Sequence, residues 1–111
     1  MVGYNERKLM ILEFVEAGYT TSGEIADVCG ISHSGTSSLM SRYWSYGLLS
    51  RSTGELYNEK IYDITVRGSE RLVFLREKVY ERMEDERLTE FLANIKRCRI
   101  LKQDSAMSAS V

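Results

Sequence analysis

The sequence predicts a mainly α-helical chain carrying one small β-hairpin, and three observations lead there. Near the N-terminus, three short segments each combine capping residues with apolar side chains at helical spacing. Two stretches rich in β-formers, "LLSRST" and "KIYDIT", follow, with Gly54 and Asn58 between them to supply turn geometry. A charge-dense stretch then runs with helical periodicity from Thr65 to about Lys102. At 111 residues the chain is long enough to bury one core without metal or disulfide support.

The elements follow in order. Asn5 stands where a cap belongs for a first helix carrying Leu9, Ile11, Leu12, Phe14 and Val15, and Gly18 lies just past its end. Thr21, with Glu24 three residues on, forms a capping-box signature. It opens a second helix whose buried side is Ile25, Ala26 and Cys29 and which Gly30 ends. Ser32 caps a third helix, over about 32–46, that buries Thr36, Leu39, Met40 and Tyr43 and stops at Gly47. The hairpin occupies about 48–65.

Thr65 caps the last helical region, which contains a conflict. At about 100° per residue, Leu72, Leu75, Val79 and Met83 centre on one direction, and Leu88, Phe91, Leu92, Ile95 and Cys98 on another roughly 150° away. One straight stripe cannot serve both sets. Either the helix breaks near 85–87, or its second half packs on another molecule; the reading preferred here places Leu88, Phe91, Leu92, Ile95 and Cys98 at a homodimer interface. The end of the chain, "QDSAMSASV" at 103–111, has no apolar period and is expected to be a disordered tail.

Composition excludes more than it proposes. Fifteen basic and sixteen acidic residues leave a net charge of -1, so function must come from patterning. "MVGYNERKLM" lacks the apolar core of a signal peptide, and no run approaches the roughly 20 apolar residues of a membrane span, so a cytoplasmic protein without membrane contact is expected. Cys29 and Cys98 make neither a disulfide framework nor a metal site, and no cofactor is implied. No histidine stands beside a nucleophile in a hydrolase-like motif and no glycine-rich phosphate loop occurs, which argues against an enzyme.

Helix, helix, corner, helix, hairpin, helix is the order of a winged helix-turn-helix, and three motifs over roughly residues 5–75 strengthen the match. "EIADVCGIS" resembles the helix-turn-helix corner: Ala26 permits close helix approach, Gly30 takes the turn conformation, and Ile31 fills the gap. "YGLLSR" looks like the exit of the third helix into the first wing strand of MarR-like and PadR-like regulators. "YDITVRG" is similar to the exit from their wing. The resemblance implies a winged helix-turn-helix domain over 1–67, a C-terminal dimerisation region of one or more helices over 68–102, and a dimeric, sequence-specific regulator of transcription bound to double-stranded DNA.

On that resemblance, the third helix enters the major groove. Rotating it about its buried positions leaves His33, Ser34, Ser37, Ser38, Ser41 and Arg42 outward; small hydroxyls let a helix sit deep, and Arg42 reaches a phosphate or a guanine edge. The wing would add Arg51, Asn58 and Lys60 on the backbone or in the minor groove, and Thr21 and Ser22 could direct hydroxyls and backbone N–H groups at a phosphate. Trp44 and Tyr46 are expected to pack on the last helix, and Leu56 and Tyr57 to fold back as a small clasp.

Charge weighs against this reading. Residues 1–67 hold six basic and eight acidic side chains, a net of -2, whereas DNA binding normally draws on phosphate neutralisation. Arg42, Arg51, Lys60 and Arg67 nevertheless belong to the third helix, the wing or its exit, while Glu13, Glu16 and Asp27 are expected to face away. The rival is a winged-helix adaptor that binds protein without DNA. A smaller idea concerns Cys98: its neighbours Lys96, Arg97, Arg99 and Lys102 would lower its pKa and make it redox-active, with Cys29 inert in the corner.

Overall fold

The structure, a computed structural model, describes residues 4–54 and 59–109. Its elements run α1 (Tyr4–Glu16), α2 (Ser22–Cys29), α3 (His33–Ser45), β1 (Leu49–Thr53), β2 (Lys60–Ile64), α4 (Val66–Arg82) and α5 (Asp85–Ala109). The expected mainly helical class with one hairpin is therefore what the chain adopts. Asn5 falls inside the first turn of α1 instead of capping it, because the helix already begins at Tyr4.

Three caps sit where the sequence places them. The Thr21 hydroxyl accepts from the Glu24 N–H at 3.2 Å, Ser32 from Gly35 at 3.1 Å, and Thr65 from Gly68 at 2.9 Å, each satisfying a donor that the first helical turn leaves without a partner. Gly30 closes α2 in the left-handed region, φ 70°, and its N–H returns to the Ala26 carbonyl. A side chain there would be strained by the backbone conformation itself.

One apolar cluster joins all the helices. Leu9, Ile11, Leu12 and Phe14 of α1 lie at its centre, with Ile25 of α2, Met40 and Tyr43 of α3, Leu49 and Tyr62 of the hairpin, and Leu72, Leu75 and Val79 of α4. That core continues across position 67, so the helices beyond it belong to the same packed body as the three before it. The antiparallel hairpin pairs Leu49 with Ile64, Arg51 with Tyr62 and Thr53 with Lys60. It is pinned to the body by Tyr62, whose N–H donates to the Thr20 carbonyl at 2.8 Å while its side chain is buried.

The last helical region breaks, slightly earlier than the sequence suggests. Met83 and Glu84 separate α4 from α5, with Met83 in extended conformation and its N–H returned to the Val79 and Tyr80 carbonyls. The break lets α5 fold back on α1. Ile95 and Cys98 are thereby buried, and Leu88 and Phe91 pack on the cluster, Phe91 edge-on to Tyr80. Of the set expected at a dimer interface, Ile95 and Cys98 are thus covered within the chain, Leu88 and Phe91 remain half-buried, and Leu92 stays exposed. α5 runs through residue 109, across most of the stretch expected to be a disordered tail.

Buried charge ties the same elements together. Glu13 of α1, 2% exposed, is bound by Arg76 of α4 and lies 3.4 Å from Arg99 of α5. Glu6 pairs with Arg87, and Glu24 with Lys102 at 2.9 Å. These acids of α1 and α2 thus take up Arg76 of α4 and Arg87, Arg99 and Lys102 of α5. No described helix is long and apolar enough to cross a membrane.

Candidate nucleic-acid interface

The rotation of α3 is fixed by what it buries. Thr36, Met40 and Tyr43 are all fully covered, and the Thr36 hydroxyl donates to the Ser32 carbonyl at 2.8 Å. At about 100° per residue the opposite side carries Ser34, Ser38, Ser41, Arg42 and Ser45. His33, Ser34, Ser37, Ser38 and Arg42 are exposed, and Ser41 is half-buried. No other part of the described chain covers this face. Arg42 makes no ion pair among the described residues, and the one hydroxyl of the stripe committed inward is Ser45, which donates to the Arg42 carbonyl at 2.6 Å.

His33 does not stand alone. Its ring lies over Gly23, where an added Cβ would come within 3.0 Å of Cε1, and its Nε2 is 3.6 Å from Asp27 Oδ1. Asp27, expected to face away, therefore sits beside the first turn of α3. The reason is the tight corner: Gly30 folds the two helices so closely that the outer edge of α2 borders the start of α3. Asp27 and His33 stand on different helices, so their adjacency depends on the angle at the corner and leaves no local mark in the sequence.

At the other end of α3, Trp44 corrects a second expectation. It does not pack on the last helix; it is 42% exposed, and the guanidinium of Arg51 on β1 stacks over its ring at 3.5 Å from the centroid. A cation–π stack of this kind holds a cation in place at a cost to its freedom but none to its charge. Tyr46 is likewise exposed, with Lys8 at 6.0 Å from its ring. The wing thus presents a fixed Arg51 next to the α3 face, with Lys60 exposed on β2 and Glu59 and Asp63 exposed near it. Asn58, Leu56 and Tyr57 lie outside the described residues.

Thr21 and Ser22 are less available than expected. Thr21 is buried, 8% exposed, and its hydroxyl is engaged as the α2 cap; Ser22 is half-buried. The expected hydroxyl at this position is consumed by the fold. What the structure brings together is the α3 stripe and Arg51 on Trp44, while Lys60 stands exposed on β2 opposite Thr53.

The cysteine environment also differs from expectation. Three of the four cations around Cys98 are engaged elsewhere, Arg99 with Glu13 and Glu16, Lys102 with Glu24, and Arg97 with Asn94, while Lys96 is exposed. Cys98 is buried, its thiol 3.9 Å from Asn94 Oδ1 and its carbonyl accepting from the Tyr19 hydroxyl at 2.9 Å. Burial, and to a lesser degree Cys98, pushes the Cys29 thiol up to about 12. No group of His, Cys, Asp and Glu able to hold a metal ion occurs among the described residues.

No protein-family model matches the sequence, and no curated protein matches it. Solved structures do. The crystal structure of smu.1704 from Streptococcus mutans UA159 superposes with a TM-score of 0.64 at 24% identity, covering 72% of this chain and 83% of that one. A MarR family protein from Bacillus stearothermophilus gives 0.54 at 23% identity, covering 89% and 73% respectively. MepR from S. aureus, solved as a complex with DNA, gives 0.53 at 17% identity, covering 86% and 76%. At such identities the likeness speaks for architecture, and the chain has the winged helix-turn-helix fold shared by MarR family proteins.

Proposed function

We propose that the protein is a sequence-specific, double-stranded DNA-binding regulator of transcription that acts as a dimer, with α3 in the major groove and the wing on the backbone or in the minor groove. The observation that carries this reading is the uncovered face of α3, where Ser34, Ser37, Ser38 and Arg42 stand outward on a helix whose rotation is locked by Thr36, Met40 and Tyr43. Small side chains allow close approach to base edges, and serine donates or accepts there. Arg51, held by Trp44, supplies a pre-positioned cation at the wing. That S. aureus MepR, a protein of the same fold, was solved on DNA supports the assignment.

A second reading has its own observation. Asp27 beside His33, with Glu59 and Asp63 on the wing, sets carboxylates around the same face, which suits a protein partner better than a phosphate backbone. One experiment separates the two. Selection from random duplexes, followed by binding at low and moderate salt, yields a recurrent motif and an affinity that falls with salt if DNA is the ligand; Arg42→Ala then costs about 1–3 kcal/mol. No recovered motif and no salt-dependent binding at low salt would leave the adaptor reading standing.

A further inference from the structure

Arg51 leaves the hairpin on its inner side. In the antiparallel register it stands opposite Tyr62, whose side chain is buried against the body, so the pleat directs Arg51 toward the helices while Ser50 and its partner Asp63 take the outer side. There the guanidinium meets the last turn of α3, 3.5 Å from the centre of the Trp44 ring. At that distance it lies flat on the indole, because an edge-on approach would drive one of its nitrogens into the ring. Arg51 forms no ion pair among the described residues, and the carboxylate of Asp63 accepts from the Ile64 N–H at 2.8 Å instead.

A guanidinium carries all of its N–H donors in its own plane, so a flat stack engages its face and leaves that rim of donors open. The acceptor that fits such a fork presents two oxygens side by side, as a carboxylate or a phosphate does. No carboxylate of the described chain takes the place. The surroundings select the phosphate: around α3, Trp44 lies about 20° from Ser37 and about 60° from Ser41, so the stacked cation closes the end of the hydroxyl row on the uncovered face. Stacking also settles a cost in advance. An arginine free in solvent gives up rotamer freedom when it meets a phosphate, whereas one already laid on a ring gave up most of it during folding.

We propose that Trp44 is the positioning residue of the wing: it clamps Arg51 at the end of the α3 row, and the free edge of that guanidinium takes one phosphodiester of duplex DNA. The assignment rests on the DNA-binding reading and chooses between the two wing contacts left open there. An arginine whose head is laid on α3 has no reach left for a minor groove, so Arg51 belongs to the backbone and carries affinity without sequence information. Trp44 itself touches no nucleotide. It acts through Arg51, and through the distance that the stack fixes between α3 and β1.

The test titrates the full chain and its variants against a labelled duplex recovered from the selection, by fluorescence anisotropy over a series of salt concentrations. Arg51→Ala is expected to bind about tenfold more weakly and to lower the slope of log affinity against log salt by about 0.9, one phosphate fewer. Trp44→Leu keeps every charge, so it is expected to lose about threefold to tenfold with the slope unchanged, and to lose nothing further in an Arg51→Ala background. Trp44→Tyr, which retains a ring face, should stay within about twofold of the parent, and Arg51→Lys, which retains charge without the plane, should keep the slope and lose affinity. Trp44 is the chain's one tryptophan, so its emission in the free protein should shift in Arg51→Ala. Unchanged emission overturns the stack. A Trp44→Leu protein that binds like the parent, or adds its full loss to that of Arg51→Ala, overturns the clamp; Arg51→Lys binding like the parent overturns the planar fork; an Arg51→Ala loss confined to one base pair of the duplex overturns the phosphate. Each of these leaves DNA binding intact, whereas a parent protein that binds no duplex overturns the reading beneath it as well.

Discussion

Arg76 on α4 donates its Nε to the carboxylate of Glu13 on α1, and that carboxylate is buried to 2% exposure with Arg99 of α5 on its other oxygen. The hydrogen bond to Glu13 is the chief reason that the Arg76 guanidinium holds its proton more tightly than usual. Three helices therefore meet on one buried anion. Such an arrangement orients elements more than it stabilises them, because the cost of desolvating both charges offsets much of their attraction.

Removing one partner exposes that cost. Arg76→Met is expected to destabilise the fold by about 3 kcal/mol, the lower end for a broken buried pair, since Arg99 remains and Arg76 is one-third exposed. The double variant Glu13→Leu, Arg76→Met should recover a large part of the loss. Urea midpoints at constant slope measure both, and a double variant no more stable than Arg76→Met would argue against the buried carboxylate as the cause.

The entry to α4 offers a sharper steric test. A Cβ on Gly68 would overlap the carbonyl oxygen of Leu48 and come within 2.8 Å of Ile64, and neither backbone nor strand can yield cheaply. Gly68→Ala is expected to cost about 1–3 kcal/mol as an overpacked site, and more than Thr65→Ala, which removes a cap worth about 1 kcal/mol. The Thr65 hydroxyl also reaches the Gly47 carbonyl at 2.6 Å, so the same residue ties the α3 exit to the start of α4. Thermal melts rank the two variants; equal midpoints for parent and Gly68→Ala would exclude the close approach.

Cys29 should behave as an unreactive thiol in the folded state. Its pKa rises from 9.0 to about 12, mainly through burial, so alkylation at pH 8 is expected to be slow in native protein and fast in urea. The sign of the pH effect follows. A folded-state pKa above the unfolded one gives stability that is whole below pH 9 and is lost as pH rises toward 12, since the unfolded chain releases the proton first. Cys29→Ala should remove that part of the alkaline decline. Rapid native labelling of Cys29 at neutral pH would contradict the burial.

Asp27 provides a gain-of-function test of the proposed interface. Its carboxylate lies 3.6 Å from His33 Nε2 at the start of α3, where it would oppose an approaching phosphate. Asp27→Asn is expected to strengthen DNA binding about twofold to fivefold at low salt, the scale of one exposed charge, with the gain shrinking as salt rises. Fluorescence anisotropy on a selected duplex reads it. Weaker binding by this variant would place the carboxylate in a supporting role instead.

Much of the architecture was legible because its signals are local. The caps at Thr21, Ser32 and Thr65 and the turn at Gly30 depend on residues within four positions, and all form as the chain reads. The apolar period of α1 and the two directions of the last helical region were equally plain. So was the hydroxyl-rich outer stripe of α3, since burying Thr36, Met40 and Tyr43 leaves Ser34, Ser38 and Arg42 nowhere to point but outward.

What the chain by itself determined, then, was the kind and order of its elements and the set of side chains left on the outside of α3. Only the tertiary structure decided what each of those elements meets. It turned α5 back onto α1, drawing Ile95 and Cys98 inward; it brought Asp27 to His33 and stacked Arg51 on Trp44. The physical reason is range. Caps, turns and periodicity act within one or two helical turns, whereas a side chain's final neighbour depends on the angle at which whole helices cross, and a single break at Met83 and Glu84 resets that angle for everything after it.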